Sequence, residues 1–276
     1  MLACRLLGDA DLPAVRALLA ADPVAGCLVA TRVERGSLDP RRLGGELWGH
    51  GEDRLDGVCL SGPNLVPLAR NPAALSAFAH QALQQGRRCS SIVGLQPAVE
   101  VLWAALAEAW GPARELRPFQ PLMSLPTAPR LRPDPGVRAV RLGELDLLLP
   151  ACVAMFTEEI GQSPLGNDGG RSYRARVRDL IVGGRAFARF EDGEVVFKAE
   201  LGALSSGAAQ IQGVWVAPHR RGEGLAAAGV AAVAAIAVPR MAPQVSLYVN
   251  QHNEPALRAY RRVGFEQVGT FMTVLF

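Results

Sequence analysis

The spacing of apolar residues changes repeatedly along residues 131–276, and this change predicts alternating strands and helices. Apolar residues three and four apart predict helices, whereas short apolar runs bounded by turn residues predict strands. The predicted order is β-α-α-β-β-β-α-β-α-β. Strands are predicted at 137–141, 186–190, 195–201, 208–216, 245–250 and 265–276. Helices are predicted at 145–160, 173–182, 224–238 and 255–263, with a loop at 161–171.

Residues 1–130 show a similar rhythm. Strands are predicted near 4–6, 27–33, 46–50, 57–60, 91–94 and 115–123. Helices are predicted at 9–21, 72–85 and 98–110. The similar order of elements indicates a weak internal repeat of one α/β unit of about 130 residues.

A proline-rich stretch separates the two halves. Residues 121–137 contain five prolines, which remove amide donors and disfavour helix, so we expect an extended, irregular linker. We place the boundary near residue 130, which gives one domain at 1–130 and another at 131–276.

Composition excludes several classes of protein. The chain has 276 residues, of which 49% are hydrophobic, yet no apolar run is long enough to predict a membrane span. The first residues do not resemble a signal peptide, and a net charge of +3 without a long basic block does not indicate nucleic-acid binding. The five cysteines are scattered, so we expect free thiols in a reducing cytoplasm, with neither disulfides nor a metal site. We expect a monomer or a homodimer.

Two glycines and two arginines mark the turn between the predicted strand 208–216 and the helix that follows. A helix N-terminus offers unpaired N–H groups and partial positive charge, and Gly222 and Gly224 leave room for an anion such as pyrophosphate. An ordinary strand-to-helix turn would need similar glycines. The dinucleotide pattern G-x-G-x-x-G/A also fits, but weakly, because residues 218–221 separate the strand from Gly222.

Two motifs together resemble the GCN5-related N-acetyltransferase (GNAT) family. "VWVAPHRRGEGLA" at 214–226 is similar to that family's acetyl-CoA signature, with His219 where Gln or Arg is usual. "LYVNQHNEPALRAYRRVGF" at 247–265 is similar to its second hallmark. The resemblance implies an α/β fold, with a mostly antiparallel mixed sheet flanked by helices, in two tandem GNAT-like domains. With "DPVAG" and "FTEEIG", the tandem arrangement resembles actinobacterial acetyltransferases.

The resemblance also implies how acetyl-CoA binds as a cosubstrate without a metal. Backbone groups of Val214, Trp215 and Val216 would hold the pantetheine arm, and Asn253 would contact it. Backbone N–H groups of the glycine turn would bind the pyrophosphate. Those turn residues are Arg221, Gly222, Glu223, Gly224, Leu225 and Ala226.

The resemblance implies direct transfer of an acetyl group to an amine. Tyr260 matches the tyrosine that protonates the leaving thiolate, and it also contacts the cofactor. A general base is less evident, because Gln210 and Gln212 stand where many relatives have a glutamate. Glu158 and Glu159 at the end of helix 145–160 are the candidates for that base, and Glu200 is another. If the pair lines the acceptor pocket, it favours a cationic amine.

The N-terminal half lacks these features. It contains no tyrosine, and its corresponding turn, "SGPNLVPLARNPAAL", has no Gly-x-Gly. We therefore expect a degenerate GNAT-like domain with a structural or regulatory role. The C-terminal half ends twelve residues after Gly264, which is short for two closing strands, so we expect the N-terminal half to cover the exposed edge and help wall the acceptor pocket. The alternative function is a non-catalytic acyl-CoA sensor or interaction module, and the acceptor stays open.

Overall fold

The computed structural model describes residues 4–52, 54–166 and 168–276. Its strands are β1 (Arg5–Leu6), β2 (Glu46–His50), β3 (Gly57–Ser61), β4 (Asn64–Ala69), β5 (Ser91–Leu95), β6 (Glu115–Leu125), β7 (Arg138–Ala139), β8 (Ala186–Glu191), β9 (Glu194–Leu204), β10 (Ala209–Val216), β11 (Val245–Tyr248) and β12 (Glu266–Leu275). Its helices are α1 (Leu12–Ala21), α2 (Pro23–Val33), α3 (Pro40–Leu43), α4 (Pro72–Gln85), α5 (Gln96–Trp110), α6 (Leu145–Ile160), α7 (Arg171–Val182), α8 (Leu225–Ala237) and α9 (Glu254–Val263). Short 3-10 turns occur at Asp9–Asp11, Leu142–Glu144 and Pro218–Arg220.

All twelve strands join one mixed sheet, in the order β1-β2-β3-β4-β5-β12-β6-β11-β10-β9-β8-β7. The β4–β5 and β10–β11 pairs are parallel, and the other described pairs are antiparallel. The α/β class and the mostly antiparallel sheet are therefore confirmed. Across the described ranges, no helix combines the length and the apolar character needed to cross a membrane.

The two halves exchange their last strands. β12, from the end of the chain, lies beside β5, whereas β6 lies beside β11, and β6 and β12 pair with each other at the centre of the sheet. Each half therefore contributes five strands of its own and receives a sixth from the other half. Strand β6 of the N-terminal half pairs with β11 and so covers the sheet edge of the C-terminal half that was expected to be exposed.

Helices cover both faces of the sheet in each half. In the N-terminal half, α1 and α2 pack on one face and α4 and α5 on the other. In the C-terminal half, α8 and α9 pack on one face and α6 and α7 on the other. The same order of elements thus appears twice, as the weak repeat predicts. The division at residue 130 stays a prediction, because the halves share one sheet.

The predicted strand at 27–33 is wrong, because these residues belong to helix α2. Asp22 caps the helix by accepting a hydrogen bond from the backbone N–H of Ala25, and Pro23 occupies its first turn. Seven of the eleven residues of α2 are buried, so the helix has no clear polar face to reveal its period. Strand β4 and the short helix α3 are additional elements that the sequence pattern did not predict.

The expectation of an irregular linker at 121–137 is wrong for its first part, because 121–125 lie in β6. A bulge just before this part explains how the same central strand accommodates Pro118. Phe271 pairs with Gln120 and Thr273 with Arg117, so Pro118 and Phe119 together face Met272. Residues 126–137 form neither helix nor strand, as expected. The backbone N–H of Asp134 in this segment donates a hydrogen bond to the Ala228 carbonyl on α8. Most other predicted elements agree with the structure to within a few residues at their ends.

Candidate functional site

Strands β10 and β11 separate after a short parallel pairing. Ala209 pairs with Val245 and Gln210 pairs with Ser246. Beyond these pairs a cleft of about 470 Å³ opens between the strands. Its walls come from β6, the end of α6, β10, β11 and the start of α9. The lining includes Met155, Phe156, Glu158, Glu159, Glu200, Gly213, Val214, Trp215, Tyr248, Asn250, Asn253 and Tyr260.

A bulge in β10 turns its backbone toward this cleft. Gln212 pairs with Glu200 and Trp215 pairs with Lys198 on β9, so Gly213 and Val214 together stand opposite one residue. Gly213 has a φ of +56°, a left-handed conformation that glycine adopts without strain. Val214 and Trp215 line the cleft, whereas Val216 lies just beyond the lining and its carbonyl accepts a hydrogen bond from Arg221 Nε at 3.1 Å.

The glycine turn leads from β10 to the N-terminus of α8. Gly222 and Gly224 have φ of +88° and +83°, and a Cβ built on either would meet no atom within 4 Å. Gly224 is the N-cap residue of α8, and within the described chain no side chain caps this helix. Residues 221–224 are exposed. Open space and free N–H groups at a helix N-terminus are what an anion such as pyrophosphate needs.

The turn and the cleft meet at Glu158. Its carboxylate accepts hydrogen bonds from Arg221 Nη2 at 2.7 Å and from Trp215 Nε1 at 3.2 Å. The six predicted turn residues lie beside the cleft rather than in its lining, and this ion pair joins them to the cleft wall. His219 is exposed in the 3-10 turn that precedes them.

Tyr260 lies in the cleft with its side chain almost fully buried. Burial raises its pKa above the ordinary tyrosine value, and the nearby charge of Glu159 raises it further. The phenol therefore stays protonated at neutral pH and is available as a proton donor. Tyr260, Glu158 and Glu159, the three residues predicted to be catalytic, all line this cleft.

The carboxylate of Glu159 has weaker contacts with neighbouring side chains than the carboxylate of Glu158. Its carboxylate is half-exposed and lies 3.6 Å from Arg117 Nη1, while its backbone carbonyl accepts a hydrogen bond from Arg117 Nη2 at 2.8 Å. Glu158 is bound on both oxygens by Arg221 and Trp215. Of the predicted pair, Glu159 therefore has the carboxylate with fewer hydrogen-bond partners among the described residues.

Strand β6 brings three residues of the N-terminal half into the cleft, namely Glu115, Arg117 and Gln120. The Arg117 side chain is only 7% exposed, and its Nε donates to Glu115 at 2.7 Å. No local motif marks these residues, because only the exchange of strands places them here. A search for polar residues in an otherwise apolar strand would have found them.

Asn253 and Asn250 lie at the mouth of the cleft. Asn253 is the N-cap of α9 and accepts a hydrogen bond from the Ala256 N–H at 3.2 Å, so the capping role holds and its side chain also lines the cleft. Asn250, which was not singled out from the sequence, accepts a hydrogen bond from Gln120 at 2.8 Å. Thr273 on β12 donates in turn to Gln120 at 2.6 Å, so both exchanged strands support this side of the cleft.

Comparison with family models separates the two halves. Residues 154–265 match the model described as the acetyltransferase (GNAT) family. Residues 45–148 match a model described as a domain of unknown function, DUF4081. No protein of curated function matches the chain in sequence.

Solved structures share the fold over nearly the whole chain. A GCN5-related N-acetyltransferase from Sphaerobacter thermophilus is 17% identical, with a TM-score of 0.61, and the match covers 99% of this chain and 95% of that one. A GNAT-family acetyltransferase from Colwellia psychrerythraea is 14% identical, with a TM-score of 0.57 and 99% of both chains covered. A tandem GNAT protein from the clavulanic acid biosynthesis pathway is 15% identical, with a TM-score of 0.55, covering 99% of this chain and 98% of that one. These similarities show the fold.

Proposed function

We propose that the chain transfers an acetyl group from acetyl-CoA to the primary amine of an acceptor, because residues 154–265 match the model of the GNAT acetyltransferase family. The observation that carries this proposal is the junction of an uncapped glycine turn with a cleft that contains Tyr260. The glycine turn suits a phosphate-bearing cosubstrate, and Tyr260 suits proton transfer to the leaving group of that cosubstrate.

Acetyl-CoA is the cosubstrate in this proposal. Backbone N–H groups at the start of α8, from Arg221 to Ala226, bind its pyrophosphate. The gap between β10 and β11 receives its pantetheine arm, with backbone groups of Val214, Trp215 and Val216 on one side and Asn253 on the other. The free space at Gly222 and Gly224 supports this fit.

The reaction is a direct transfer. The amine nitrogen forms a bond to the acetyl carbon as the bond from that carbon to sulfur breaks, and the sulfur takes a proton from the Tyr260 hydroxyl. Positioned proton transfer of this kind is typically worth about 10²- to 10⁴-fold in rate. The N–H of Val214 donates to the thioester oxygen, where negative charge develops.

Glu159 is the group that we assign as the base. It accepts the proton that the attacking amine loses, because its carboxylate is half-exposed in the cleft and near Tyr260. Glu158 keeps the end of α6 against the glycine turn through Arg221. Burial raises the pKa of Glu200, but its ion pair with Lys198 at 3.0 Å outweighs burial and lowers that pKa, so this carboxylate is already engaged by a cation. The carboxylates of the cleft favour an acceptor that is a cationic amine.

A binding module without catalysis is the competing function, as an acyl-CoA sensor would also need the glycine turn. Tyr260 favours the enzyme, because acyl-CoA binding alone does not need a buried phenol near a carboxylate. The five free cysteines suit a reducing compartment, and we place the protein in the cytoplasm.

Release of free thiol from acetyl-CoA distinguishes the two functions. The assay takes the full chain with a panel of primary amines, peptides and aminoglycosides, and acetylated product is confirmed by mass spectrometry. The enzyme proposal predicts thiol release that depends on one class of amine. Tight binding of acetyl-CoA without turnover of any acceptor would favour the sensor instead.

A further inference from the structure

The only lysine of the chain is buried beneath the bulge of β10. The chain has 29 lysine and arginine residues together, and Lys198 is the single lysine among them. Its side chain is 2% exposed. Burying an ammonium group is costly unless it is paired, so its position calls for a physical reason.

The ammonium group is paired inside the protein. Lys198 Nζ donates to Glu200 Oε2 at 3.0 Å, and Cys152 Sγ lies 3.7 Å away. Arg176 Nη2, from α7, lies 3.5 Å from Glu200 Oε1. Burial opposes the charge on both partners, but their mutual attraction outweighs it, so the pKa of Lys198 is raised and that of Glu200 is lowered. Both groups are therefore charged at neutral pH.

The pair lies directly against the bulge. Lys198 and Glu200 flank it in the β9 register, paired with Trp215 and Gln212 respectively. A Cβ built on Gly213 would lie 2.9 Å from Lys198 Nζ and 3.2 Å from Glu200 Cδ. The missing side chain at Gly213 thus lets the ion pair touch the backbone of the bulge, while Glu200 also faces the cleft.

We propose that Lys198 and Glu200 are a positioning pair for the acyl-CoA site, which supports the backbone of Gly213 and Val214 from beneath and keeps the Val214 N–H directed into the cleft. The inference rests on the proposed function in taking acetyl-CoA as the ligand of that backbone. A buried ion pair is often no more stabilising than apolar residues of similar size. The hydrogen bond of 3.0 Å between Lys198 and Glu200 holds both side chains in one arrangement, and that arrangement packs against the backbone at Gly213.

The first test is a double variant, Lys198→Met with Glu200→Leu, which leaves neither charge buried alone. We expect it to fold with a Tm near that of the wild type and to bind acetyl-CoA about tenfold more weakly in isothermal titration, because the Val214 N–H is no longer held in position. The matched control, Arg258→Met with Glu254→Leu, removes an exposed ion pair on α9 with an N–O distance of 3.0 Å. Wild-type affinity in the folded Lys198/Glu200 variant would overturn the inference.

The second test uses the wild-type protein and needs no variant to fold. Protein labelled with carbon-13 at lysine Cε gives a single lysine signal, because the chain has one lysine. We expect saturating acetyl-CoA to shift this signal, whereas a signal that stays unchanged in the saturated complex would contradict a role at the site.

Amide hydrogen exchange in the ligand-free protein at Gln212 and Trp215, which pair with Glu200 and Lys198 on either side of the bulge, completes the test. We expect exchange at least tenfold faster in the double variant than in the wild type and the Arg258/Glu254 control. Equal exchange would show that the pair does not support the bulge. Acetyl-CoA binding without transfer to any amine would refute the proposed function but leave this inference intact.

Discussion

The two halves contain equivalent helix N-termini, but these differ in whether a side chain accepts hydrogen bonds from their first backbone N–H groups. Helix α8 begins at Gly224, and among described residues no side chain caps it. Helix α4, at the same place in the N-terminal half, begins after Asn71, whose side chain accepts a hydrogen bond from the Ala73 N–H at 2.9 Å. Pro72 removes another donor at the first turn. In the N-terminal half the Asn71 side chain and a proline thus account for backbone N–H positions at the start of α4, whereas at the start of α8 the corresponding N–H groups are left for a ligand.

The parallel strand pairs beside these two helices also differ, because β4 and β5 stay close whereas β10 and β11 separate. β4 and β5 pair in parallel through Asn64 with Ser91 and Leu65 with Ile92, much as β10 and β11 do. In the N-terminal half a Cβ on Gly94 would lie 3.3 Å from the Pro67 carbonyl oxygen, so the two strands stay close. In the C-terminal half the cleft opens instead. One topology thus supports a packed core in one half and a site in the other, and a few residues make the difference.

Gly224→Trp should have the largest effect on this contrast. The indole fills the space at the turn, and the left-handed φ of +83° strains any side chain there, so we expect acetyl-CoA affinity to fall by at least about 100-fold in isothermal titration. Gly193→Trp is the control, because Gly193 has a φ of +82° in the exposed β8–β9 turn. Unchanged affinity in folded Gly224→Trp would refute the pyrophosphate site.

Tyr260→Phe should lower kcat by about 10²- to 10⁴-fold and leave acetyl-CoA affinity nearly unchanged. Because burial and then Glu159 raise the pKa of Tyr260, the wild-type rate should not decline until the pH exceeds the ordinary tyrosine value of about 10. Tyr173→Phe is the control, since the Tyr173 hydroxyl donates to the Cys152 carbonyl at 2.9 Å and Tyr173 is not among the residues that line the cleft. Steady-state kinetics with a confirmed acceptor would show Tyr260 to be a packing residue if kcat stayed at the wild-type value.

Arg117→Met tests whether the N-terminal half acts in the site. Arg117 holds the Glu159 carbonyl at 2.8 Å, so its loss should let the end of α6 move and lower kcat about tenfold at constant acetyl-CoA affinity. Arg130→Met is the control, because it removes an ion pair with Glu266 that also joins the two halves but is exposed. Similar kinetics for the two variants would mean that β6 contributes no more than packing.

Asn71→Ala should have the smallest effect on binding. Loss of the cap should lower the free energy of unfolding by about 1 kcal/mol in denaturant titrations. Acetyl-CoA stoichiometry and affinity should not change, because Pro67 still closes the N-terminal gap. A second bound acetyl-CoA in this variant would show that the cap alone distinguishes the halves.

Local chemistry made the positions of the candidate site residues in the C-terminal half largely predictable. The glycine turn, Asn253 and Tyr260 belong to two short motifs, so their placement follows once the neighbouring strands and helices are recognised. Glu158 and Glu159 were predictable as a pair, but their different partners were not. Arg221 binds Glu158 and Arg117 binds Glu159, and those contacts depend on where α6 ends in space.

Non-local packing explains what the sequence pattern did not predict. Helix α2 looks like a strand because it is buried between the halves, where Cys27 Sγ lies 3.2 Å from the Ala208 carbonyl oxygen. The strand predicted at 115–123 is present, but β6 continues to Leu125 into the predicted linker, because residues 121–125 pair with β11 and β12. Both errors concern segments whose environment comes from the other half of the chain.

A crystal structure of the full chain soaked with acetyl-CoA tests the central claim most directly. We predict one molecule per chain, with its pyrophosphate at the N–H groups of residues 221–226 and its arm between β10 and β11. Acetyl-CoA bound at Asn71 in the N-terminal half, or a pyrophosphate away from the glycine turn, would contradict the account.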